Sequence, residues 1–372
     1  MIYVNDFVEY LNSIGVDFFC GVPDSQLSSF CDFIEENCDN IIASNEGNAV
    51  AIASGYNLST NNYPVVYLQN SGLGNIVNPV TSLTHPKVYS IPIIYIIGWR
   101  GQPGVHDEPQ HKKQGEITLK LLKLLDIDYL VINNETSFSE LKSTFENNFL
   151  DKLNEGNSVA IVVSKGAFED YKIKKSNDNL LTREKAIHVV TDFLSEDDMV
   201  VSTTGKSSRE LFEYREVLNH GHGNDFLTVG SMGHSSSIAL GVALNNSDKK
   251  IFCFDGDGAI LMHMGSLALI GSKKPENFYH IMFNNSAHES VGGLPTVMDS
   301  IHIDELVMAC GYNNVFNASS TRELNDVLPK FIGSVGPVFL NIDVNLESRK
   351  DLGRPTTTPL ENKNDFMKKL QG

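Results

Sequence analysis

The chain has 372 residues, 41% of them hydrophobic and 20% charged, and its formal net charge is −17. That length exceeds one typical domain and predicts two. The composition is that of a soluble globular protein, and the excess of acid argues against nucleic acid or an anionic membrane surface as a partner. No apolar run approaches the roughly 18 residues a membrane span needs. The opening stretch MIYVNDFVEYLNSIGVDFF has no basic segment ahead of a long apolar core, so no secretory leader is expected. Five scattered cysteines (Cys20, Cys31, Cys38, Cys253 and Cys310) contain no CxxC pair. Their odd number and spacing predict reduced thiols and a cytoplasmic protein.

In chain order, the first strand-like runs are VDFFC (16–20), IIAS (41–44), PVVYLQ (64–69), IPIIYIIG (91–98), YLVI (129–132) and SVAIVVS (158–164). They are β-branched or aromatic and nearly continuous, the pattern of strands buried on both faces of a parallel sheet. Helical stretches such as QLSSFCDFIEENC and ETSFSELKSTFENNFLDKL lie between them, and this alternation predicts βα units. The polar, lysine-rich YKIKKSNDNLLTR (171–183) has no apolar periodicity and reads as a linker.

The rhythm then restarts. TREKAIHVVTDFL predicts an amphipathic helix with Thr182 as its N-cap. Strands are expected at MVVST, FLTV, KIFCFD, YHIMFN, NNVF and PVFLNIDV, and a surface-wrapping tail follows. The expected architecture is α/β, two doubly wound parallel-sheet domains with no middle domain. Residues 1–170 form the first, 171–183 the linker, and 184–372 the second domain with its C-terminal tail. No sequence repeat relates the halves.

The stretch DGDGAILMHMGSLALIGSKKPENFYHIMFNN (255–285) carries the chemistry. KIFCFD is a strand, GDG the turn at its carboxyl end, ILMHMGSLALIG a helix ending at Gly271, and YHIMF a strand ending in Asn284 and Asn285. Ligands of open α/β sheets sit beyond the carboxyl ends of the strands, so Asp257 and the asparagine pair share one edge. Gly256 and Gly258 permit close backbone approach, and the following helix N-terminus attracts phosphate. A carboxylate with amide oxygens suits magnesium. The inferred ligand is a magnesium-bound diphosphate.

GDG followed at this interval by NN resembles the signature of the thiamine diphosphate-dependent decarboxylase family. That resemblance implies a pyrimidine-binding first domain, a diphosphate-binding second domain, and thiamine diphosphate with Mg2+ as cofactors. Asp257, Asn285 and the Ala287 carbonyl would hold the metal, with Asn284 an open alternative to Asn285. In IIASNEGNAVAIASGY, Glu46 would bond the pyrimidine nitrogen and drive formation of the imino tautomer. In TVGSMGHSSSIALG, Met232 would bend the cofactor and the Gly230 carbonyl would accept from its amino group. In STTGKSSREL, Thr204, Gly205, Lys206 and Ser207 would meet the diphosphate.

The resemblance spans nearly the whole chain. FCGVPDSQLSSF, GWRGQPGVHDEPQH, NNSAHESVGGLPT and DLGRPTTTP narrow it to two-domain decarboxylases of anionic pyruvates, those of 3-phosphonopyruvate first and of sulfopyruvate next. A noncatalytic cofactor-binding subunit is the reading from another class, and Glu46 argues against it. The resemblance implies a small anionic 2-keto acid as substrate and self-association with the active site at a subunit interface. Asp24, His111 and His288 are the expected titratable residues. The substrate's anionic group requires local cations, for which Arg100, Arg349, Lys350 and Arg354 are candidates, with Thr356, Thr357 and Thr358 as further oxygen contacts.

Overall fold

A computed structural model of the chain describes residues 1–371. The chain divides into two compact units, Met1–Lys174 and a second from Lys175 onward. In the first, β1 (Phe18–Gly21), β2 (Asp39–Ile42), β3 (Val65–Gln69), β4 (Ile94–Gly98), β5 (Asp128–Ile132) and β6 (Val159–Val163) form one sheet in the order β2-β1-β3-β4-β6-β5. Every pairing is parallel. Central β4 and β6 are buried throughout, whereas edge strand β2 is not. This matches their continuous apolar runs, because helices cover both faces of a parallel sheet.

The second unit contains β7 (Met199–Ser202), β8 (Asp225–Leu227), β9 (Ile251–Gly256) and β10 (Phe278–Asn284). A short antiparallel ribbon, β11 (Ala287–His288) with β12 (Leu294–Pro295), precedes β13 (Asn314–Ala318) and β14 (Val338–Asp343). Its main sheet runs β13-β14-β10-β9-β7-β8. Counted from each unit's own first strand, this is the order of the first sheet. Alternate residues of β9 and β10 build the two cores. Phe252, Phe254, Ile281 and Phe283 enter one, and Ile251, Cys253, Phe278 and Met282 the other.

In both sheets the strand order reverses between the first and third strands, β1 and β3 in one unit and β7 and β9 in the other. The crevice at such a reversal is where open α/β sheets bind ligands. The loops leaving these four strands carry Asp24, Asn70, Thr204 and Asp257.

Several expectations change. The segment IIAS is not all strand: β2 ends at Ile42, so Ala43 and Ser44 lead into the cap of the next helix. The helix expected over ILMHMGSLALIG is two helices, Asp257–Met262 and Gly265–Lys273. Gly271 lies inside the second helix, where a Cβ would stand 1.9 Å from the Cys310 carbonyl oxygen. Close packing, not helix termination, requires glycine there, and Lys274 takes the left-handed capping conformation instead. Thr182 caps helix Arg183–Asp192 as expected, accepting from Lys185 N at 3.1 Å. Arg183, read from sequence as the end of the linker, is the first residue of that helix and is buried.

The tail ends in a further helix, Pro359–Gln371. Its Asn362 donates to the Asp225 carbonyl at 2.8 Å and accepts from Leu227 N at 3.0 Å, covering the edge of β8. Among the described residues, none of the five cysteines is in a disulfide, and no helix is long and apolar enough to cross a membrane.

Candidate active site

In the second unit, a pocket is lined by Thr203, Thr204, Lys206 and Ser207 after β7, by Gly256 to Ala259 after β9, and by Asn285, Glu289 and Ser290 after β10, with Met232 and Arg183 completing the wall. Asp257 is the first residue of helix Asp257–Met262 and is 3% exposed. Its Oδ2 accepts from the Thr296 hydroxyl at 2.6 Å. Burial raises its pKa to about 6 against that bond and the nearby backbone N–H groups. Lys206 opens helix Lys206–Val217, so two helix N-termini face the pocket. Gly230 lies in the loop after β8, close in sequence to Met232, and is half-buried.

The asparagine pair divides. Asn284 ends β10 and turns to Asp343, donating to its Oδ1 at 3.2 Å, while Asn285 lines the pocket. Asn285 Oδ1 accepts from Ala287 N at 3.1 Å, which folds the chain so that Ala287 is buried close by. His288 is buried, and burial alone pushes its pKa down to about 4. It is therefore a neutral imidazole near pH 7, with one N–H donor and one acceptor nitrogen and no charge.

Sequence reasoning missed the ion network in the wall of this pocket. Arg183 donates to both oxygens of Glu210 at 2.8 Å and also bonds Glu289. Lys206 Nζ donates to Glu289 Oε1 at 2.8 Å and to Ser348 Oγ at 2.7 Å. Burial alone would raise Glu289, but Arg183 and Lys206 hold it below the usual carboxylate range. One signal for Arg183 was present: a cation in the first turn opposes the helix dipole, so its presence there implies a partner elsewhere in the fold.

Arg349, one of the expected substrate cations, is already engaged. Arg349 is held by Glu184 at 2.7 Å, by Glu213, and by Asp351 at 3.5 Å. Gly353 N donates to the same Glu213 at 2.6 Å. This part of the tail is a latch. Lys350, directly after Arg349, and Arg354, directly after Gly353, are both exposed, and Thr356 to Thr358 lead into the last helix.

In the first unit, Glu46 opens helix Glu46–Thr60, capped by Asn45, whose side chain accepts from Asn48 N at 2.9 Å. Glu46 is 5% exposed, and its Oε2 accepts from Asn75 Nδ2 at 2.6 Å. Asp24 follows β1 and is fully buried. The N–H groups of Ser25 and Gln26 approach it without closing a well-formed bond to either oxygen. Burial raises its pKa to about 6, and Arg100 only partly opposes this. His111 lies in the first turn of helix Pro109–Leu124 with an unpartnered Nδ1. Burial, then the Arg100 charge, lower its pKa to about 4.

Arg100 itself is clamped by Asp107 through Nε at 2.8 Å and Nη2 at 2.6 Å, and it donates to Ser25 Oγ at 2.9 Å. Asn70 Nδ2 donates to the Arg100 carbonyl oxygen at 2.8 Å. Arg100 is thus a strut of this edge and not an open anion site.

The raised pKa of Asp24 has a measurable consequence. Its folded-state value of about 6 lies above the ordinary 3.8. Its charge therefore costs stability above the folded value, and that cost fades as pH falls from about 6 to about 4. Asp24→Asn is expected to gain stability relative to the parent as pH rises through this window, by about 2–3 kcal/mol in total. Denaturant unfolding of both proteins at pH 4, 5, 6 and 8 checks this, and a stability gap independent of pH would refute it.

The residues fit the implied cofactor. The second unit places a carboxylate, an amide oxygen and a carbonyl-bearing turn at one edge, which is a hard-donor set. The two helix N-termini beside them suit a diphosphate.

The thiamine pyrophosphate enzyme N-terminal TPP-binding domain matches residues 1–158, and the C-terminal TPP-binding domain of the same enzymes matches residues 203–342. These spans leave no room for a middle domain. A phosphonopyruvate decarboxylase of Streptomyces viridochromogenes is 34% identical over 97% of this chain and 93% of its own. One of Streptomyces hygroscopicus is 31% identical over 97% and 92%. A sulfopyruvate decarboxylase of Methanosarcina acetivorans is 26% identical over 87% and 86%. With both cofactor-binding domains present and this similarity along nearly its full length, the chain belongs to the thiamine pyrophosphate-dependent decarboxylase family.

Proposed function

We propose that the chain decarboxylates 3-phosphonopyruvate to phosphonoacetaldehyde and carbon dioxide, with thiamine diphosphate and magnesium as cofactors. The observation that carries this reading is the 34% identity with the Streptomyces viridochromogenes enzyme over 97% of the chain. When bound, the thiazolium ring supplies the electron sink that a 2-keto acid lacks. Asp257, Asn285 and the Ala287 carbonyl would hold the magnesium. Thr204, Gly205, Lys206 and Ser207 would meet the diphosphate, Met232 would press on the bent cofactor, and the Gly230 carbonyl would accept from its amino group.

Glu46 would hold and release a proton at the pyrimidine nitrogen of the bound cofactor. Asp24, with a pKa of about 6, is suited to carry a proton near neutral pH. His111 and His288 are both neutral there, and a pKa of about 4 makes each a weak base, so they are proposed as hydrogen-bond partners of the reacting groups. Placed proton carriers such as Glu46 and Asp24 contribute about 10²–10⁴-fold each. Lys350 and Arg354 are proposed for the phosphonate, now without Arg100 and Arg349. The active unit is proposed to be at least a homodimer, with Glu46 of one subunit serving the diphosphate pocket of another.

Sulfopyruvate is the second reading, supported by the Methanosarcina acetivorans relative. Carbon dioxide release from 3-phosphonopyruvate, sulfopyruvate and pyruvate, with and without thiamine diphosphate and magnesium, tests both. Phosphonopyruvate should lead sulfopyruvate by about tenfold or more in kcat/KM, and pyruvate by about a hundredfold or more. A reversed order of the first two would transfer the assignment to sulfopyruvate. Cofactor-independent release would reject the reading altogether.

A further inference from the structure

The Glu46 carboxyl is held from one side by the turn that follows β3. We propose that Asn75 and Gly72 are positioning residues that set the orientation of Glu46, so that one carboxyl oxygen is retained by the protein and the other is left for proton exchange. This rests on the reading of Glu46 as the proton-exchanging carboxyl.

The geometry is specific. After β3 the chain makes a short turn, Asn70–Gly72, and enters helix Leu73–Pro79. Asn75, in the first turn of that helix, donates from Nδ2 to Glu46 Oε2 at 2.6 Å. A Cβ at Gly72 would stand 2.3 Å from Glu46 Oε1 and 2.5 Å from its Cγ and Cδ. The backbone of Gly72 has φ −73° and ψ −9°, which any residue adopts. Glycine is therefore required there for space, and the space is filled by the Glu46 side chain. A Cβ at Gly47 would lie 3.2 Å from the Asn75 carbonyl oxygen, so the two backbones also approach closely. The carboxyl is confined between an amide donor and a bare backbone.

The donor type matters. An amide N–H stabilises a carboxyl oxygen without adding charge. A carboxylate of the same shape at position 75 would remove the donor and place a like charge beside Glu46. Asn75 is itself exposed, and substitutions at exposed positions ordinarily change stability little. A functional loss on replacing it would not follow from unfolding.

The test compares Asn75→Ala, Asn75→Asp, Glu46→Gln, Glu46→Ala and the Glu46→Ala/Asn75→Ala pair, all as full-length protein. The readouts are steady-state kinetics, calorimetric titration of thiamine diphosphate in excess magnesium, and melting of the cofactor-free protein. Asn75→Ala should lower kcat by about 10- to 100-fold, the scale of a hydrogen bond to a charged group. KM should change less than about threefold, as for an interaction not used in binding the keto acid. Isosteric Asn75→Asp should be the worse of the two, and both should melt within about 2 °C of the parent.

Asn75→Ala should weaken cofactor binding by about 3- to 10-fold in the parent, but by less than about twofold in Glu46→Ala, where no carboxyl remains to orient. Equal weakening in both backgrounds, parent-like kcat for Asn75→Asp, or a shared fall in melting temperature would overturn the proposal. Parent-like turnover by Glu46→Gln would instead overturn the reading of Glu46 on which it rests.

Discussion

Asp257→Ala should abolish magnesium-dependent binding of thiamine diphosphate, with affinity falling by about 10³-fold or more, while the protein remains folded. The size follows from the donor set. Of the three oxygens proposed for the metal, only Asp257 carries a charge, and a hard dication bound by few protein ligands depends on it. The fold should survive because Asp257 is a costly residue in the cofactor-free protein. Burial lifts its pKa to about 6, and its removal relieves that desolvation. Against this stand the lost Thr296 bond and the favourable position of a carboxylate at a helix N-terminus, each worth about 1 kcal/mol. These opposing effects are of similar size. Calorimetric titration with circular dichroism and thermal melting checks both halves. Binding within about threefold of the parent would remove Asp257 from the metal site.

Glu46→Gln should retain cofactor binding within about tenfold and lose turnover by about 10²–10⁴-fold, the range for a placed acid–base group. Glutamine keeps the shape and can still accept the Asn75 bond, but it cannot take up or release the proton. The same variant tests the proposed subunit arrangement. If each active site combines Glu46 of one subunit with Asp257 of another, a heterodimer of Glu46→Gln and Asp257→Ala chains contains one doubly altered site and one intact site. Co-refolding equal amounts should then restore about a quarter of the parent activity, the share left by statistical pairing in a two-fold dimer. No recovery in proven mixed dimers would reject the shared site and leave the role of Glu46 to be judged on its own turnover.

Much of the molecule was legible in advance. The continuous runs in β4, β6, β9 and β10 announced strands covered on both faces, and all four are buried nearly throughout. The capping role of Thr182 was legible because an N-cap acts within three residues. Local rules failed where a distant contact overrode them. Gly271 resembled a helix stop, yet the carbonyl of Cys310 presses on it. The single helix expected after GDG breaks at His263 and Met264, and Gly265, which opens the second helix, is the one local sign of that break.

By itself the sequence determined two α/β units, the placement of Asp257, Asn285 and Glu46 at strand ends, and the resemblance to cofactor-dependent decarboxylases. Each of these rests on spacing along the chain, which a linear pattern records. Only the tertiary structure decided which charges are available. Arg100 and Arg349 looked like open anion sites and are clamped by Asp107, Glu184 and Glu213. Arg183 looked like linker and is paired with Glu210 and Glu289 at the wall of the second unit's pocket. Asn75 carried no signal and holds the Glu46 carboxyl. The physical reason is that a hydrogen bond or ion pair is strong only over a few ångströms and weakens steeply beyond. Parallel sheets bring loops many residues apart to one carboxyl edge, so partners there are set by strand order and not by distance along the chain.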